Sequence, residues 1–340
     1  MKVLVTGAGG FLGRRIVDSL LRMGVSHLRV HVRQAPPVGM IESLQQKYPQ
    51  AHIETVQANL LSRGELEPLV SGVDCIVHAA AGMKGAAADM FANTVLTTRN
   101  LLEAAGAQNI RRIVLISSFS VYCAESIPKG GLLSEATPIE PVGVNKGPYG
   151  YAKTRQEHLF NEFQQRFGFE SVILRPGVIY GPGGGSMSSR VGIRALGFFF
   201  SLGGRAQLPL TYVDNCADAV AQAALKAPAG SAFNVVDDDL PTCKTYLQSY
   251  CREVEKMRRV PVPYWAFELG ARFLVWYNQK SKGQLPALFT TYVVRSMYRP
   301  LQHNNAALKA IGWTQGVSTA EGLSRSFRHW KAQLQSAKSS

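Results

Sequence analysis

A tyrosine and a lysine, Tyr149 and Lys153, stand four residues apart in the segment PYGYAKTRQEHL. On a helix, residues at i and i+4 share one face, with Cβ atoms about 5–6 Å apart, so both side chains can point into one cleft. Pro148 suits the first turn of such a helix. A free tyrosine has a pKa of about 10, and a nearby ammonium favours its phenolate form. The pair is therefore a candidate acid/base, although a Tyr–Lys pair alone is usually an exposed surface pair.

The segment VLVTGAGGFLGRRIV carries a second chemical signal, the glycines Gly7, Gly10 and Gly13. They stand between a strand-like run and a helix with apolar periodicity. There the first glycine permits a tight turn, the second lets the backbone approach a pyrophosphate, and the third lets the helix pack on the sheet. The helix N-terminus offers N–H groups and partial positive charge to phosphates. The pattern predicts a dinucleotide site that includes Phe11 and Leu12, with a merely structural glycine turn as the alternative.

The end of the second predicted strand, in LRVHVRQ, indicates which dinucleotide is bound. A carboxylate about 20 residues beyond the loop usually holds a 2′-hydroxyl, whereas an arginine accommodates a 2′-phosphate. This strand end has no carboxylate, and Arg33 could make charge-assisted bonds to a phosphate. NADP is therefore favoured over NAD. The alternatives are a solvated charge for Arg33 and a packed or exposed strand histidine for His31.

These motifs, in this order, resemble the extended short-chain dehydrogenase/reductase family over nearly the whole chain. TGAGGFLG is similar to its opening loop, CIVHAAA to its fourth strand, RIVLISSFSVY to its fifth, PYGYAK to its YxxxK motif and LRPGVIYGPG to the segment after its sixth strand. The resemblance implies that Tyr149 is the general acid/base and that Lys153 lowers its pKa and holds the nicotinamide ribose. It implies that Ser118 hydrogen-bonds the reacting oxygen. It also implies a set of further cofactor-binding residues: Asn59, Leu60, Ala79, Ala80, Ala81, Pro176, Gly177 and Val178.

Several positions depart from the pattern of that family. Asn59 replaces an aspartate near the adenine, which predicts weakened rather than lost binding of the adenine amino group. Thr94 replaces an asparagine that, in the family, kinks a helix and holds a water. The residue that usually has this role is therefore absent from this position. Phe119 and Ser120 replace the Asp-Glu pair of sugar-nucleotide dehydratases, which disfavours dehydration. Alcohol/ketone redox chemistry, or epimerisation through a transient ketone, remains.

The elements that must position these residues alternate along the first half of the chain. Short apolar runs predict buried strands, and helix-period segments lie between most of them. These helical segments are 11–23, 40–47, 64–70, 89–106 and 150–167. The alternation predicts a doubly wound α/β fold of Rossmann type, with a parallel sheet covered by helices on both faces. We expect residues 1–176 and 210–236 to form an NAD(P)-binding domain, and residues 177–209 and 237–335 to form a smaller, mostly helical substrate lobe.

The substrate lobe leaves several interpretations open. One helical face carries Trp265, Leu269, Phe273 and Trp276, which could form core, bind an apolar substrate or rest on a membrane surface. The C-terminal segment resembles 3β-hydroxysteroid-dehydrogenase-like and dihydroflavonol-reductase-like members, which implies an apolar ketone or alcohol. A nucleotide sugar is the alternative substrate, with three candidate phosphate partners: Arg190, Arg194 and Arg205. A regulator that senses the cofactor without turnover is a further alternative, although such proteins typically lose the Tyr or Lys of YxxxK.

Composition and charge limit the partners and the compartment. The chain has 37 Lys plus Arg and 23 Asp plus Glu, a net charge of +14 that favours anionic partners. The basic residues are scattered, so we expect no nucleic acid, and at most a weak membrane-surface contact. Five widely spaced cysteines predict buried thiols and a reducing compartment, and their spacing is not that of a metal site, so we expect none. No signal-like segment opens the chain, so we expect a cytoplasmic protein. In the resembling family, helices equivalent to 89–106 and 150–167 commonly pair, which implies a homodimer.

Overall fold

The computed structural model describes residues 1–280 and 290–339 of the chain. Its strands are β1 (Lys2–Thr6), β2 (His27–Val32), β3 (His52–Gln57), β4 (Cys75–His78), β5 (Arg112–Ile116), β6 (Leu132–Leu133), β7 (Glu170–Pro176), β8 (Val178–Tyr180), β9 (Gly192–Ala195), β10 (Phe198–Ser201), β11 (Leu210–Tyr212), β12 (Ser231–Val235), β13 (Arg259–Pro261) and β14 (Gln302–His303). Its α-helices are α1 (Gly13–Arg22), α2 (Met40–Lys47), α3 (Leu66–Val70), α4 (Ala87–Phe91), α5 (Thr97–Ala107), α6 (Gly147–Phe167), α7 (Val213–Lys226), α8 (Cys243–Glu253), α9 (Tyr264–Lys280), α10 (Thr291–Tyr298), α11 (Ala306–Ala310) and α12 (Thr319–Ser339). A π-helical turn, Ala92–Leu96, joins α4 to α5.

Seven parallel strands form the main sheet, in the order β3-β2-β1-β4-β5-β7-β12. Val3 pairs with Leu28 on one side and with Cys75 on the other, so β1 is central. The strand order reverses between β1 and β4, and a doubly wound sheet binds its ligand in the crevice beyond the strand ends at that point. The predicted doubly wound, Rossmann-type α/β fold is confirmed.

Helices cover both faces of the main sheet, which explains why its strands are nearly continuous apolar runs. On one face, Ile16 and Leu20 of α1 pack with Val220 of α7 against β1 and its neighbours. On the other face, Leu101 of α5 and Phe160 of α6 pack against the sheet. All five side chains have 0% exposure, and burying each contributes about 1.5–3 kcal/mol. This two-sided burial holds the strand ends, and the loops that follow them, in fixed positions.

The segment after Pro176 contains more regular structure than its glycine-rich sequence predicts. β8 follows β7 almost directly and pairs in parallel with β11, and β9 and β10 form an antiparallel hairpin to which β13 adds a third strand. The hairpin turns at Leu196 and Gly197, whose φ angles are +51° and +76°. Two-residue hairpin turns require positive φ, and glycine or asparagine is their usual signal. Because leucine occupies the first turn position, the sequence does not show the usual signal of a hairpin turn there.

The apolar face of α9 is exposed, and the interpretation of this face as core packing is wrong. Trp265, Leu269, Phe273 and Trp276 are 67%, 56%, 60% and 51% exposed, and none of them lines the large cleft described below. α9 instead packs through its other side, where Ala271 is 1% exposed. No helix within residues 1–280 and 290–339 is long and apolar enough to cross a bilayer.

All five cysteines are free thiols. Cys75, Cys216 and Cys243 are buried as predicted, whereas Cys123 and Cys251 are partly exposed. Burial raises the pKa of Cys75 to about 12, so this thiol is neutral and inert at neutral pH.

Candidate active site

A single cleft of about 1500 Å³ collects the residues that the sequence assigns to catalysis and to the cofactor. The three catalytic candidates, Ser118, Tyr149 and Lys153, all line it. The cofactor candidates that line it are Gly7, Gly10, Phe11, Leu12, Gly13, Arg33, Asn59, Leu60, Ala79, Ala80, Ala81, Pro176, Gly177 and Val178. These residues follow the carboxyl ends of parallel strands, which meet at one edge of the sheet. Sequence and structure thus agree on the location of the site, while the role of each residue stays a prediction.

The glycine loop between β1 and α1 is shaped by two close approaches. Gly7 has a φ of +68°, and a Cβ there would lie 2.9 Å from the Cα of Ala80. A Cβ on Gly13 would lie 2.1 Å from the carbonyl oxygen of Gly7. A side chain at either position would therefore push apart the loop, the β4 end and the start of α1. The first amides of a helix lack intrahelical partners, so this cradle fits the pyrophosphate of a dinucleotide.

His31 braces the glycine loop and does not face solvent. Its Nδ1 accepts a hydrogen bond from the backbone N–H of Gly7 at 3.3 Å, and its Nε2 then donates to the Ala58 carbonyl at 3.0 Å. Burial lowers the pKa of His31, so the ring is neutral. Of the roles considered for this histidine, the packed one is correct, and the ring also fixes the loop to the end of β2.

Arg33 extends from the end of β2 along the cleft and is exposed. Its guanidinium donates to the side-chain oxygen of Asn93 at 3.1 Å, which aims it at the cleft wall. Asn59 also lines the cleft, and its side-chain oxygen accepts from the Leu61 N–H at 3.1 Å. A carbonyl oxygen has two lone pairs, so the Asn59 oxygen can accept a second hydrogen bond.

Tyr149 and Ser118 meet across the cleft. Tyr149 stands in the first turn of α6, and Ser118 follows the end of β5 by two residues. Burial raises the pKa of Tyr149, and the nearby Ser118 hydroxyl opposes that shift. The Ser118 hydroxyl accepts a hydrogen bond from the Ser120 N–H at 3.1 Å, which fixes its position.

The Lys153 ammonium is buried one helical turn beyond Tyr149. It donates to the Ile116 carbonyl at 2.8 Å and to the side-chain oxygen of Gln156 at 2.9 Å. Burial lowers the pKa of Lys153 to about 8, and the charge of Glu157 opposes that shift. Burial has the largest effect on the pKa of the Tyr149 phenol and raises it, and the lowering of this pKa by Lys153 stays a prediction.

A buried hydrogen-bond chain runs from Lys153 to β1. Gln156 donates to the Thr98 hydroxyl at 2.8 Å, and His78 bonds that hydroxyl at 2.8 Å with one ring nitrogen and the Thr6 hydroxyl at 2.8 Å with the other. Burial lowers the pKa of His78 to about 3, so this ring is neutral too. The chain ties the position of Lys153 to the strand that carries the glycine loop. Sequence analysis missed it, although a histidine in a fully apolar strand is a usable signal.

The helix before α5 keeps a kink without the usual asparagine. Thr94 lies in the π-helical turn, and its hydroxyl accepts from the Gly82 N–H at 3.0 Å. The hydroxyls of Thr97 and Thr98 donate to the Thr94 carbonyl at 3.2 and 2.6 Å. Side-chain hydroxyls therefore satisfy the carbonyl that the wider turn releases, and π turns of this kind often accompany functional sites.

A buried ion pair supports the site from behind. Glu157 of α6 and Arg175 of β7 are 0% and 6% exposed, and the Arg175 Nε lies 3.1 Å from a Glu157 oxygen. Glu157 also accepts from Ser117, the neighbour of Ser118, and Arg175 donates to the Tyr122 hydroxyl at 3.0 Å. The pair thus joins α6, β7 and the loop after β5. It was not foreseen from the sequence, in which a glutamate four residues after Lys153 is indistinguishable from an exposed helix residue.

The cleft is positively charged. Its lining residues include five cations and, across residues 1–280 and 290–339, no aspartate or glutamate. The cations are Arg33, Lys84, Lys146, Lys153 and Arg190. Such a surface favours a ligand with several negative charges.

Arg190 alone of the three arginines proposed for substrate phosphate lies in the cleft. Its guanidinium donates to the Met297 carbonyl at 3.1 Å, and burial lowers its pKa. Arg194 pairs with Glu255 on the surface, and Arg205 is exposed outside the cleft. Ser120, which also lines the cleft, has a buried hydroxyl without a hydrogen-bond partner among the described residues.

Comparison with known proteins places this architecture in context. The sequence profile of the NAD dependent epimerase/dehydratase family matches residues 3–236. An uncharacterized UDP-glucose epimerase of Bacillus subtilis is 33% identical over 191 residues, which are 54% of this chain and only 58% of that protein. A 2-alkyl-3-oxoalkanoate reductase of Shewanella oneidensis is 27% identical over 94% of this chain and 84% of that protein. The crystal structure of a UDP-glucuronic acid 4-epimerase from Bacillus cereus with NAD has the same fold, with a TM-score of 0.70 and 20% identity over 98% of this chain and 99% of the other.

Proposed function

We propose that this chain, which belongs to the NAD dependent epimerase/dehydratase family, interconverts a ketone and an alcohol with a nicotinamide dinucleotide. One observation carries the proposal: Ser118, Tyr149 and Lys153 meet the glycine loop in a single cleft. Each motif alone is common, but an acid/base group beside a dinucleotide cradle is what hydride chemistry on a carbonyl requires.

The roles of the three side chains follow from their contacts. A bound nicotinamide dinucleotide would supply or accept the hydride. Tyr149 donates its hydroxyl proton to the carbonyl oxygen as the alcohol forms and takes it back in the reverse direction. Ser118 hydrogen-bonds the same oxygen and keeps it beside the phenol. Lys153 is charged below about pH 8, so it can stabilise the phenolate and donate to a ribose hydroxyl.

We propose NADP as the preferred cofactor. Arg33 lies at the strand end where a 2′-phosphate would sit, and no carboxylate of residues 1–280 and 290–339 lines the cleft to hold a 2′-hydroxyl. Asn59 and Leu60 would hold the adenine, and Phe11 and Leu12 the pyrophosphate. Pro176, Gly177 and Val178 would lie against the nicotinamide.

A ketone with an apolar body and an anionic group is the substrate class that we propose. The ketone reductase relative matches 94% of this chain, including the lobe that sets specificity, whereas the epimerase relative matches 54%. Phe119, Val178, Val293 and Met297 give the substrate end of the cleft apolar walls, and Arg190 offers a partly buried cation there. A carboxylate or phosphate on the substrate would neutralise that charge.

Nucleotide-sugar epimerisation is the second candidate function. The 33% identity to the epimerase relative favours it, and Arg190 could bind a diphosphate. Epimerisation uses the same three side chains but returns the hydride to the other face of a transient ketone. The third candidate, a regulator that binds NADP without turnover, is disfavoured because both Tyr149 and Lys153 are present.

The test is a turnover assay with NADPH and NADH against two panels, long-chain 3-oxo acids and UDP-sugars. We expect ketone-dependent NADPH oxidation, and we expect Tyr149→Phe to lower turnover by about 10²–10⁴-fold while NADPH still binds. Tyr151→Phe is the matched control, because Tyr151 stacks on Phe91 and does not line the cleft.

Undiminished turnover in Tyr149→Phe would refute the acid/base assignment. Conversion of a UDP-sugar without net cofactor oxidation would select the epimerase. NADPH binding without turnover on either panel would select the regulator.

We also propose the domain division and the homodimer that the sequence suggests. Residues 1–176 and 210–236 would bind the cofactor, and 177–209 and 237–335 the substrate. Leu96 beside α5 and Phe167 at the end of α6 are 40% and 37% exposed, which supports a contact between these helices of two copies. Sedimentation velocity tests the dimer.

A further inference from the structure

The most exposed group of large apolar side chains on one element lies on α9. We call these side chains the α9 face: Trp265, Leu269, Phe273, Trp276 and Tyr277. Tyr277 is 39% exposed, and the other four are more than half exposed. Their spacing of four, four, three and one residues puts them on one side of the helix. Contiguous exposed apolar surface of this kind marks an interaction site.

The opposite side of α9 is fixed by packing. Phe267 packs edge-on against Tyr298 of α10, with ring centroids 5.2 Å apart. Glu268 accepts from Arg295 of α10 at 2.7 and 2.9 Å. Ala271 is buried between these contacts. α9 is therefore held by Phe267, Glu268 and Ala271, and the α9 face is directed away from the protein.

The charged residues of α9 that border the α9 face are cations. The single acidic residue of α9, Glu268, lies on the packed side, where Arg272 and Arg295 neutralise it. Arg272 borders the face, and the Lys280 ammonium lies 5.5 Å from the centre of the Trp276 ring. The whole chain has a net charge of +14. A second copy of this chain would bring the same cations to the contact and would repel.

We propose that the α9 face docks on the interface of an anionic lipid bilayer. Trp and Tyr favour the boundary between headgroups and acyl chains, where the ring lies in apolar surroundings and its polar tip stays hydrated. A helix with an apolar face bordered by Lys and Arg binds in the plane of that boundary, and anionic lipid strengthens the binding. Arg272 and Lys280 are placed to reach lipid phosphates beside the inserted rings.

Docking in this way would bring lipid close to the substrate end of the cleft. α10 packs on α9, and Val293, Ser296 and Met297 of α10 line the cleft. A ketone with a long apolar chain partitions into a bilayer and would reach the cleft along α10. This last step rests on the proposed function, whereas docking of the α9 face does not.

The experiment is co-sedimentation of the full chain with vesicles of phosphatidylcholine alone and of phosphatidylcholine with 30% phosphatidylglycerol. We expect binding to the anionic vesicles, a blue shift of tryptophan fluorescence on binding, and weaker binding at high salt. Phe273→Glu should weaken partitioning at least about tenfold. Val38→Glu is the matched control, because Val38 is fully exposed far from α9 in sequence and the charge change is the same.

Three results would overturn the proposal. One is wild-type protein that stays in the supernatant with anionic vesicles. Another is that Phe273→Glu and Val38→Glu weaken vesicle binding equally, because the effect of Phe273→Glu would then be explained by the change in net charge alone. The third is a dimer in sedimentation velocity that Phe273→Glu dissociates, because a second copy would then cover the face. Tyr149→Phe should bind vesicles like wild type, so failure of docking and failure of the catalytic proposal are distinguishable.

Discussion

Arg33 is the residue to which we attribute the proposed preference for NADP. It is exposed at the end of β2, and its guanidinium donates to the neutral side chain of Asn93. Because this partner carries no charge, the positive charge of Arg33 is available to a phosphate. The same strand end carries His31, which points inward and holds the glycine loop. Arg33 follows Val32, the last residue of β2, and is exposed, whereas His31 lies inside the strand and is buried, which explains why only Arg33 is available to a ligand.

Replacing Arg33 with Met should weaken NADPH binding about 10–100-fold, because a hydrogen bond to a charged group contributes about 1.5–3 kcal/mol. NADH binding should stay nearly unchanged, since NADH has no 2′-phosphate. Titration of cofactor fluorescence measures both constants. Lys84→Met, which removes another cation of the cleft, should not discriminate between the two cofactors. A selective effect of Lys84→Met, or none of Arg33→Met, would contradict the assignment.

Among the elements, α6 has two functions at once. Its first turns present Tyr149 and Lys153 to the cleft, and its next turn places Glu157 on the buried guanidinium of Arg175. The proposed catalytic pair is thereby oriented by an ion pair that does not itself line the cleft. A displacement of β7 relative to α6 would move both Tyr149 and Lys153.

Glu157→Gln should lower the free energy of unfolding by about 3–5 kcal/mol, since it leaves the charge of Arg175 buried without its partner. Glu157→Gln combined with Arg175→Met should recover part of that loss, because no unpaired charge remains. Urea unfolding of the two variants and of wild type measures this. The control is Glu253→Gln, which breaks an exposed pair with Arg252 and should cost much less. Additive losses in the double variant would contradict the coupling.

The sequence predicts some elements better than others, for physical reasons. Strands β1 to β5 and their helices are recognisable because burial on both faces demands apolar runs and a 3.6-residue period. The β9–β10 hairpin was missed, since Leu196 adopts a turn conformation that leucine rarely takes. The kink at Thr94 was also missed, because hydroxyls from the next turn replace the asparagine. A motif defined by the residue type at one position cannot detect that neighbouring side chains supply the same hydrogen bonds.

At the scale of the whole molecule, the location of the candidate site could be predicted from the sequence, but the orientation of α9 at the surface could not. Strand order and motif order together fix which side chains reach the cleft, so its lining follows from the sequence. The orientation of α9 does not, because an aromatic stripe has the same period whether it packs inward or faces outward. Only the contacts of Phe267, Glu268 and Ala271 with the rest of the protein decide that α9 packs by its less apolar side.

The core and the C-terminal segments are joined at Asp237. Its buried carboxylate accepts from the Tyr212 N–H and the Tyr180 hydroxyl at 3.1 Å and from Asn215 at 2.9 Å, and Asn215 also donates to the Val317 carbonyl at 2.8 Å. Burial raises the pKa of Asp237 from 3.8 to about 6, although these hydrogen bonds oppose the shift. The folded protein therefore favours the protonated carboxyl more than the unfolded chain does.

The stability contributed by Asp237 should be fully present below pH 3.8 and lost as the pH rises through about 6. The rise of the Asp237 pKa from 3.8 to about 6 corresponds to a loss of about 3 kcal/mol in the free energy of unfolding, at 1.36 kcal/mol per pKa unit. Asp237→Asn cannot titrate, so the free energy of unfolding of wild type minus that of the variant should fall by most of this amount between pH 4 and pH 7. Urea unfolding across that range measures the difference. A difference that is flat, or that rises with pH, would contradict the raised pKa.

The excess of cations around the cleft bears on how this protein must be handled at the bench. A concave positive surface concentrates any small polyvalent anion, and it does so most strongly in dilute electrolyte. Phosphate or citrate buffers would then compete with the dinucleotide and raise its apparent KM. Zwitterionic buffers of fixed conductivity would avoid that artefact, and co-purifying nucleotide should be stripped by a salt wash before any affinity is measured.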